Sequence, residues 1–172
     1  NLRCAYCFID KDRHETMTSE VARRTAAAIV SSPGCFKRVG IYGGEPLAHF
    51  DLVRLIVEDV RAGARALDKQ IRCAVASNGI LLRKEHLDFF RENEVEVCLS
   101  FGSSTGRQHA YADGRDSSSE AWRGADRALR FLPRRLVTGL LCVHPENVDQ
   151  LAADFSRLVR RGFTAINLEV IQ

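Results

Sequence analysis

The chain has 172 residues, of which 45% are apolar and 27% charged, and its formal net charge is +3. This length is enough for one domain with a sizeable core, and so small a net charge gives no argument for nucleic-acid binding. No run of about 18 apolar residues occurs, so no membrane span is predicted. The polar first residues lack an apolar segment, and we expect no signal peptide.

Helices and strands alternate along the chain. Thr18 is predicted to cap the first helix, with Glu20 in its first turn, and Gly162 is predicted to end the last helix. The Asn78-Gly79 dipeptide marks a turn after the second strand. The predicted helices span 17–32, 49–67, 82–93, 119–132 and 145–162, and the predicted strands span 36–43, 71–77, 95–101, 135–143 and 165–171.

Alternating helices and apolar strands predict an α/β fold with a parallel sheet. The pattern leaves two closures open, a doubly wound sheet and a complete or partial (β/α) barrel. In both, ligands bind at the carboxyl ends of the strands. The residues at these ends are Gly43-Gly44-Glu45-Pro46, Ser77-Asn78-Gly79, Ser100 and Glu169.

Six cysteines in a chain of this length favour reduced thiols over a disulfide scaffold, and therefore a reducing, cytosolic setting. Three of them lie in predicted strands and are expected to pack in the core, as are Trp122 and the phenylalanines. These strand cysteines are Cys73, Cys98 and Cys142.

Cys4 and Cys7 form the pair CAYC, which precedes the first predicted helix. No predicted strand comes before that helix, so we expect CAYC to lie in a loop after a strand further upstream. A zinc site would need two more ligands, a redox pair would open a helix directly after a strand, and a disulfide would close only a small loop. An iron–sulfur cluster with one more upstream cysteine fits the spacing. Three thiolates on a four-iron cluster would leave one iron open for a substrate or cofactor.

Several segments resemble one enzyme superfamily. NLRCAYCF resembles the end of the radical S-adenosylmethionine (SAM) signature CxxxCxxC, whose first cysteine would lie immediately before Asn1. IYGGEPL, ASNGILL and CLSF resemble the segments that end the second, third and fourth strands of that superfamily. The GGEPL and VHPEN segments most resemble those of its peptide- and protein-modifying branch. That branch includes anaerobic sulfatase-maturing enzymes and ribosomal-peptide maturases.

The resemblance implies a partial (β/α)6 TIM-like barrel that here lacks its first strand. Residues 1–172 would form one core domain, truncated on the N-terminal side of the cluster loop and without the C-terminal domain that holds auxiliary clusters. The implied cofactors are a [4Fe-4S] cluster and SAM. Reductive cleavage of SAM would give a 5′-deoxyadenosyl radical that abstracts hydrogen from a peptide or protein side chain. The implied electron donor is a protein such as flavodoxin or ferredoxin, and the implied setting is the cytoplasm, away from nucleic acid and membrane.

The resemblance also implies roles for individual residues. Glu45 would accept a hydrogen bond from the SAM ammonium, and Ser100 would contact the SAM ribose or carboxylate. Arg115 would replace an arginine that reaches the SAM carboxylate, since Asp113 stands at that place. Cys4 and Cys7 are the implied metal ligands, and Tyr6, Gly43, Gly44, Glu45, Pro46, Ser77, Asn78, Ser100 and Arg115 are the implied cofactor-binding residues.

Asp113 in the place of an arginine and two further departures keep other hypotheses open. The branch often has Ser-x-Asp-Gly on its fourth strand, where this chain reads Ser100-Phe101-Gly102-Ser103. The first ligand cysteine is also absent from the sequence. The alternatives are a degenerate, non-catalytic barrel that binds a partner or peptide, and an unrelated α/β protein whose CAYC holds zinc or cycles between redox states.

Overall fold

The computed structural model describes residues 1–4, 7, 9–10, 15–102, 110–145 and 147–170. It confirms five strands that alternate with five helices. In chain order these are α1 (Ser19–Ser31), β1 (Phe36–Ile41), α2 (Phe50–Ala66), β2 (Gln70–Ser77), α3 (Lys84–Glu92), β3 (Glu96–Phe101), α4 (Ser118–Phe131), β4 (Val137–Val143), α5 (Leu151–Arg161) and β5 (Ala165–Val170). Short 3-10 helices occur at Pro46–His49, Arg134–Leu136 and Val148–Gln150.

The five strands form one sheet in the order β1-β2-β3-β4-β5, and every neighbouring pair is parallel. A doubly wound sheet would reverse its strand order at a switch point, whereas this order follows the chain from one side to the other. Right-handed crossovers in such an order place the helices on one face of the sheet. The sheet is therefore a half-barrel, and the prediction of a partial TIM-like barrel is confirmed.

The core lies between the sheet and the helices. On β3, Val97 and Leu99 are at most 1% exposed and belong to this core. Cys98 and Ser100 alternate with them and remain half-buried on the opposite, concave face. The prediction that Cys98 packs in the core is therefore wrong, because its place in the strand puts its side chain on the concave face. Cys73 and Cys142 are buried, as predicted.

The predicted helix ends are confirmed in detail. The Thr18 hydroxyl accepts a hydrogen bond from the Val21 amide at 3.3 Å, and Gly162 ends α5 with φ at +100°. The prediction that all the phenylalanines pack in the core is wrong for three of them, which are 44–50% exposed: Phe36, Phe131 and Phe155. Phe36 is the first residue of β1, Phe131 is the last residue of α4, and Phe155 lies in α5. No helix in the described ranges is long and apolar enough to span a membrane.

Candidate functional site

Glu45 lies at the carboxyl end of β1, in the segment that leads into the 3-10 helix at Pro46–His49. Its side chain is only 7% exposed. Oε1 accepts hydrogen bonds from the Leu47 amide at 3.1 Å and from the Ser77 hydroxyl at 2.8 Å, and Oε2 accepts one from the Asn78 amide at 3.0 Å. Glu45 thereby joins the carboxyl ends of β1 and β2.

The turn after β2 is built to present these donors. The Ser77 hydroxyl also accepts a hydrogen bond from the Gly79 amide at 3.0 Å, and the Asn78 side-chain oxygen accepts one from the Ile80 amide at 3.0 Å. Such local side-chain bonds fix Ser and Asn turns. Ser77 is 3% exposed, and its hydroxyl donates its hydrogen bond to the Glu45 carboxylate. The Asn78 side-chain amide faces Asn1.

Burial raises the pKa of Glu45 above its ordinary value, and the hydrogen bonds from the Asn78 and Leu47 amides and the Ser77 hydroxyl only partly offset this rise. All three described partners are donors, which suits the ionised, acceptor-only carboxylate. A carboxylate has roughly four acceptor positions, and described residues take three of them. Oε2 can therefore accept a further hydrogen bond from a cationic group, as the implied role of Glu45 requires.

The two glycines before Glu45 leave space for a ligand. A Cβ atom built on Gly43 or on Gly44 would meet no described atom within 4 Å. Gly43 has φ at +154°, a conformation that favours glycine. A ligand can therefore approach the backbone here closely, beside the Glu45 carboxylate.

The cysteine-bearing segment starts at the same edge of the sheet. The Asn78 side-chain amide donates a 2.9 Å hydrogen bond to the Asn1 side-chain oxygen. The Arg3 amide donates to the Ala110 carbonyl at 2.7 Å, in the segment that follows β3. Cys4 comes directly after Arg3, so the segment that carries the first cysteine runs from the turn after β2 to the residue Ala110.

Cys4 and Cys7 are linked by a hydrogen bond that the Cys7 amide donates to the Cys4 carbonyl at 3.2 Å. Both residues are half-buried. Among the described residues, no group of three or more His, Cys, Asp or Glu side chains could hold a metal ion. The described chain thus offers two thiolates of the three that the implied cluster needs.

The remaining predicted residues differ in their surroundings. Ser100 is half-buried on the concave face of β3, and Pro46 opens the 3-10 helix that Glu45 caps. Arg115 is exposed, and its Nε donates to Oδ2 of Asp113 at 2.7 Å while its guanidinium lies 5.1 Å from the centre of the Tyr111 ring. Tyr6 lies outside the described residues.

Sequence reasoning missed two features of this edge. It did not predict that the Ser77 side chain contacts Glu45 and the Gly79 amide, and the contact of Ser77 with the cofactor stays a prediction. It also gave no role to Asn1, which binds Asn78. The spacing of ASNG after a strand indicated a turn, but only the tertiary structure shows which residues that turn holds.

The sequence matches the Radical SAM superfamily over residues 1–158. The chain belongs to the radical SAM superfamily. Members of this superfamily bind a [4Fe-4S] cluster and SAM. The open glycine backbone, the carboxylate with a vacant acceptor position and the two half-buried cysteines fit those cofactors as far as the described residues reach.

Among proteins similar in sequence, an AdoMet-dependent heme synthase of Nitratidesulfovibrio vulgaris is 28% identical over 127 residues, which are 72% of this chain and 30% of that protein. An uncharacterised protein of Methanocaldococcus jannaschii is 22% identical over 126 residues, which are 72% of this chain and 43% of that protein. This radical SAM chain therefore spans less than half the length of both curated relatives.

Two solved structures share the fold of this radical SAM chain. The anaerobic sulfatase-maturase anSMEcpe with bound AdoMet matches with a TM-score of 0.85 and 19% identity, over 100% of this chain and 48% of its own. SuiB of Streptococcus suis bound to its precursor peptide SuiA matches with a TM-score of 0.68 and 12% identity, over 100% of this chain and 37% of its own. At these identities the likeness establishes the fold.

Proposed function

We propose that this chain is the core of a radical SAM enzyme that modifies a peptide or protein side chain. The observation that carries the proposal is the position of Glu45. Its buried carboxylate is held by Ser77 and Asn78 next to an open glycine backbone, at the sheet edge where the cysteine-bearing segment starts. When bound, the cluster and SAM supply a reductive cleavage that yields a 5′-deoxyadenosyl radical able to abstract hydrogen.

The residues of this chain would bind and orient those cofactors. Cys4 and Cys7 would supply two thiolate ligands to the cluster. Glu45 would accept a hydrogen bond from the SAM ammonium through Oε2, and the backbone at Gly43 and Gly44 would approach the same end of SAM. The third thiolate would come from a cysteine immediately before Asn1.

Further predicted contacts complete the SAM site. Tyr6 would lie near the adenine, and Ser100 would reach the ribose or carboxylate from the concave face of β3. Arg115 would pair with the SAM carboxylate once its hydrogen bond to Asp113 is broken. The same guanidinium N–H groups cannot form a bidentate pair with both carboxylates. Pro46 fixes the backbone that follows Glu45.

A peptide or protein substrate is supported by two fold neighbours, whose structures contain a peptide. One is anSMEcpe with the Kp18Cys peptide, and the other is SuiB with its precursor peptide SuiA. A one-electron donor such as flavodoxin or ferredoxin would reduce the cluster. The assignment of residues 1–172 to one core domain without a C-terminal auxiliary-cluster domain, and the cytoplasmic setting, stay predictions.

The test is anaerobic reconstitution of the full-length protein with iron and sulfide, followed by SAM cleavage with dithionite. Cys4→Ala and Cys7→Ala should lose both iron and SAM cleavage, whereas the control Cys35→Ala, at an exposed loop position, should keep both. A colourless protein with stoichiometric zinc would instead support the zinc or redox alternative. A folded protein that binds no cluster would support the degenerate barrel.

A further inference from the structure

In α4, Gly124 packs against the backbone of Gly79, the residue after Asn78. A Cβ atom built on Gly124 would lie 2.8 Å from the Gly79 carbonyl carbon and 3.1 Å from its Cα atom, and nearer still to its carbonyl oxygen. These atoms belong to the backbone, so no side-chain rotation could make room. Helix α4 therefore rests directly on the turn that follows β2.

Gly79 is equally constrained on its own side of the contact. Its φ is +76°, which favours glycine, and a Cβ atom there would lie 3.2 Å from Cδ2 of Leu99 and 3.6 Å from the Ala121 carbonyl oxygen. The Gly79 carbonyl also accepts a hydrogen bond from the Leu82 amide at 3.2 Å. A side chain at position 79 would therefore strain the turn and press against β3 and α4.

Helix α4 is itself held firmly against the sheet. The Trp122 ring stacks on Phe101 of β3 with centroids 4.4 Å apart. On the other side, the Arg161 guanidinium lies 4.8 Å from the centre of the same ring and makes two hydrogen bonds of 2.7 and 2.6 Å to Asp126. An added methyl group at Gly124 would therefore be accommodated largely by a shift of the turn.

That turn supplies two of the three donors to Glu45. Asn78, which donates its amide to Oε2, comes directly before Gly79, and the Ser77 hydroxyl that binds Oε1 also accepts the Gly79 amide. A shift of Gly79 must displace the bonds of Ser77 and Asn78 to Glu45, because the three residues 77–79 form one turn.

We propose that Gly124 is a positioning residue, through which α4 sets the place of the Asn78 amide against Glu45 and so the geometry of the SAM ammonium site. The SAM part of this inference rests on the proposed function, whereas the structural part concerns the chain alone. Gly124 touches neither Glu45 nor the glycine backbone at Gly43 and Gly44, and it acts through Gly79.

The matched pair of variants is Gly124→Ala and Gly63→Ala. Both glycines are inside helices, where alanine is favoured by about 1 kcal/mol, and both would place a Cβ atom in a tight contact. At Gly63 this contact is with the Val30 side chain, 3.1 Å away, between α1 and α2. Gly63→Ala therefore controls for a tight helix contact that lies away from the turn.

Amide hydrogen exchange measured by NMR on the purified protein tests the structural part. Exchange of the Asn78 amide should be at least about tenfold faster in Gly124→Ala than in the wild type and unchanged in Gly63→Ala. Equal exchange rates in the wild type and Gly124→Ala would overturn the inference. Should Gly124→Ala fail to fold, Trp122→Leu, which loosens α4 from Phe101, should speed the same amide, and no change would again overturn it.

Titration of the reconstituted protein with SAM tests the functional part. Gly124→Ala should raise the SAM dissociation constant about tenfold with iron content unchanged, and Gly63→Ala should leave it unchanged. The response of the reduced cluster's EPR spectrum to SAM should shift to correspondingly higher concentrations. Unchanged SAM affinity in Gly124→Ala would overturn the inference. A wild type that binds no SAM would overturn the proposed function, and the Asn78 exchange rate would then decide the inference alone.

Discussion

The Ser77 hydroxyl donates a 2.8 Å hydrogen bond to Oε1 of Glu45, across 32 residues of sequence and between the ends of adjacent strands. Both side chains are buried, at 3% and 7% exposure. A buried carboxylate is tolerated only when its hydrogen bonds are made. The pair therefore couples the stability of this edge to the position of the acceptor proposed for SAM.

Ser77→Ala should lower the free energy of unfolding by about 1–3 kcal/mol, because it removes the bond to Glu45 and leaves the Gly79 amide without its acceptor. Urea denaturation measures this. Ser77→Thr retains the hydroxyl and should lose less. A midpoint for Ser77→Ala equal to that of the wild type would show that the Ser77–Glu45 bond contributes nothing to stability.

Gly44→Ala should weaken SAM binding at least about tenfold and change the free energy of unfolding by less than about 0.5 kcal/mol. Gly44 lies outside the positive-φ region, so alanine fits its backbone, and the added methyl group would occupy the open space proposed for SAM. Gly43→Ala should also cost about 1–3 kcal/mol of stability through its φ of +154°. SAM titration and urea denaturation separate the two effects, and undiminished SAM affinity in Gly44→Ala would argue against a ligand at this place.

Arg115 and Asp113 should have opposite effects on SAM affinity. Arg115→Ala should weaken SAM binding about tenfold through loss of a charged hydrogen bond, with little change in stability because the ion pair is exposed. Asp113→Ala should strengthen binding, since it releases the guanidinium that Asp113 now holds. Equilibrium dialysis with labelled SAM measures both, and a loss of affinity in both variants would contradict the predicted role of Arg115.

His86 should make the protein less stable in acid. Burial lowers the pKa of His86, although Glu85 partly offsets the effect. Its Nδ1 accepts a hydrogen bond from the Arg83 amide at 3.0 Å at the start of α3, and its ring lies 4.3 Å from that of Phe50. Below the unfolded pKa of about 6.5 the unfolded chain binds the proton more readily, so the free energy of unfolding falls as pH decreases.

Urea denaturation at about pH 7.5 and about pH 5.5 measures this loss. His86→Gln is the control, because glutamine at this helix position can accept the same amide hydrogen bond and does not titrate. The wild type should lose more stability than His86→Gln between the two pH values. An equal loss in both proteins would remove His86 as the cause.

The sequence predicted the elements and the edge of the sheet that carries the site. The alternation of apolar strands and amphipathic helices fixed the α/β class, and Thr18 and Gly162 marked helix ends correctly because capping depends on a few adjacent residues. The carboxyl ends of parallel strands meet at one edge, so GGEP and ASNG could be placed together from their order alone.

The features that could be read from the residues alone are therefore local: the strand and helix periods, the turn after Ser77 and the glycine-flanked acid at Glu45. The folded structure distinguished the half-barrel, which the resemblance implied, from the doubly wound sheet that the residue pattern left open, because strand order depends on contacts between distant segments. It also decided that Ser77 holds Glu45 and that Gly124 rests on Gly79. Glu45 and Ser77 are 32 positions apart in the sequence, and Gly79 and Gly124 are 45 positions apart. These pairs meet through packing, for which no periodicity in the sequence gives a signal.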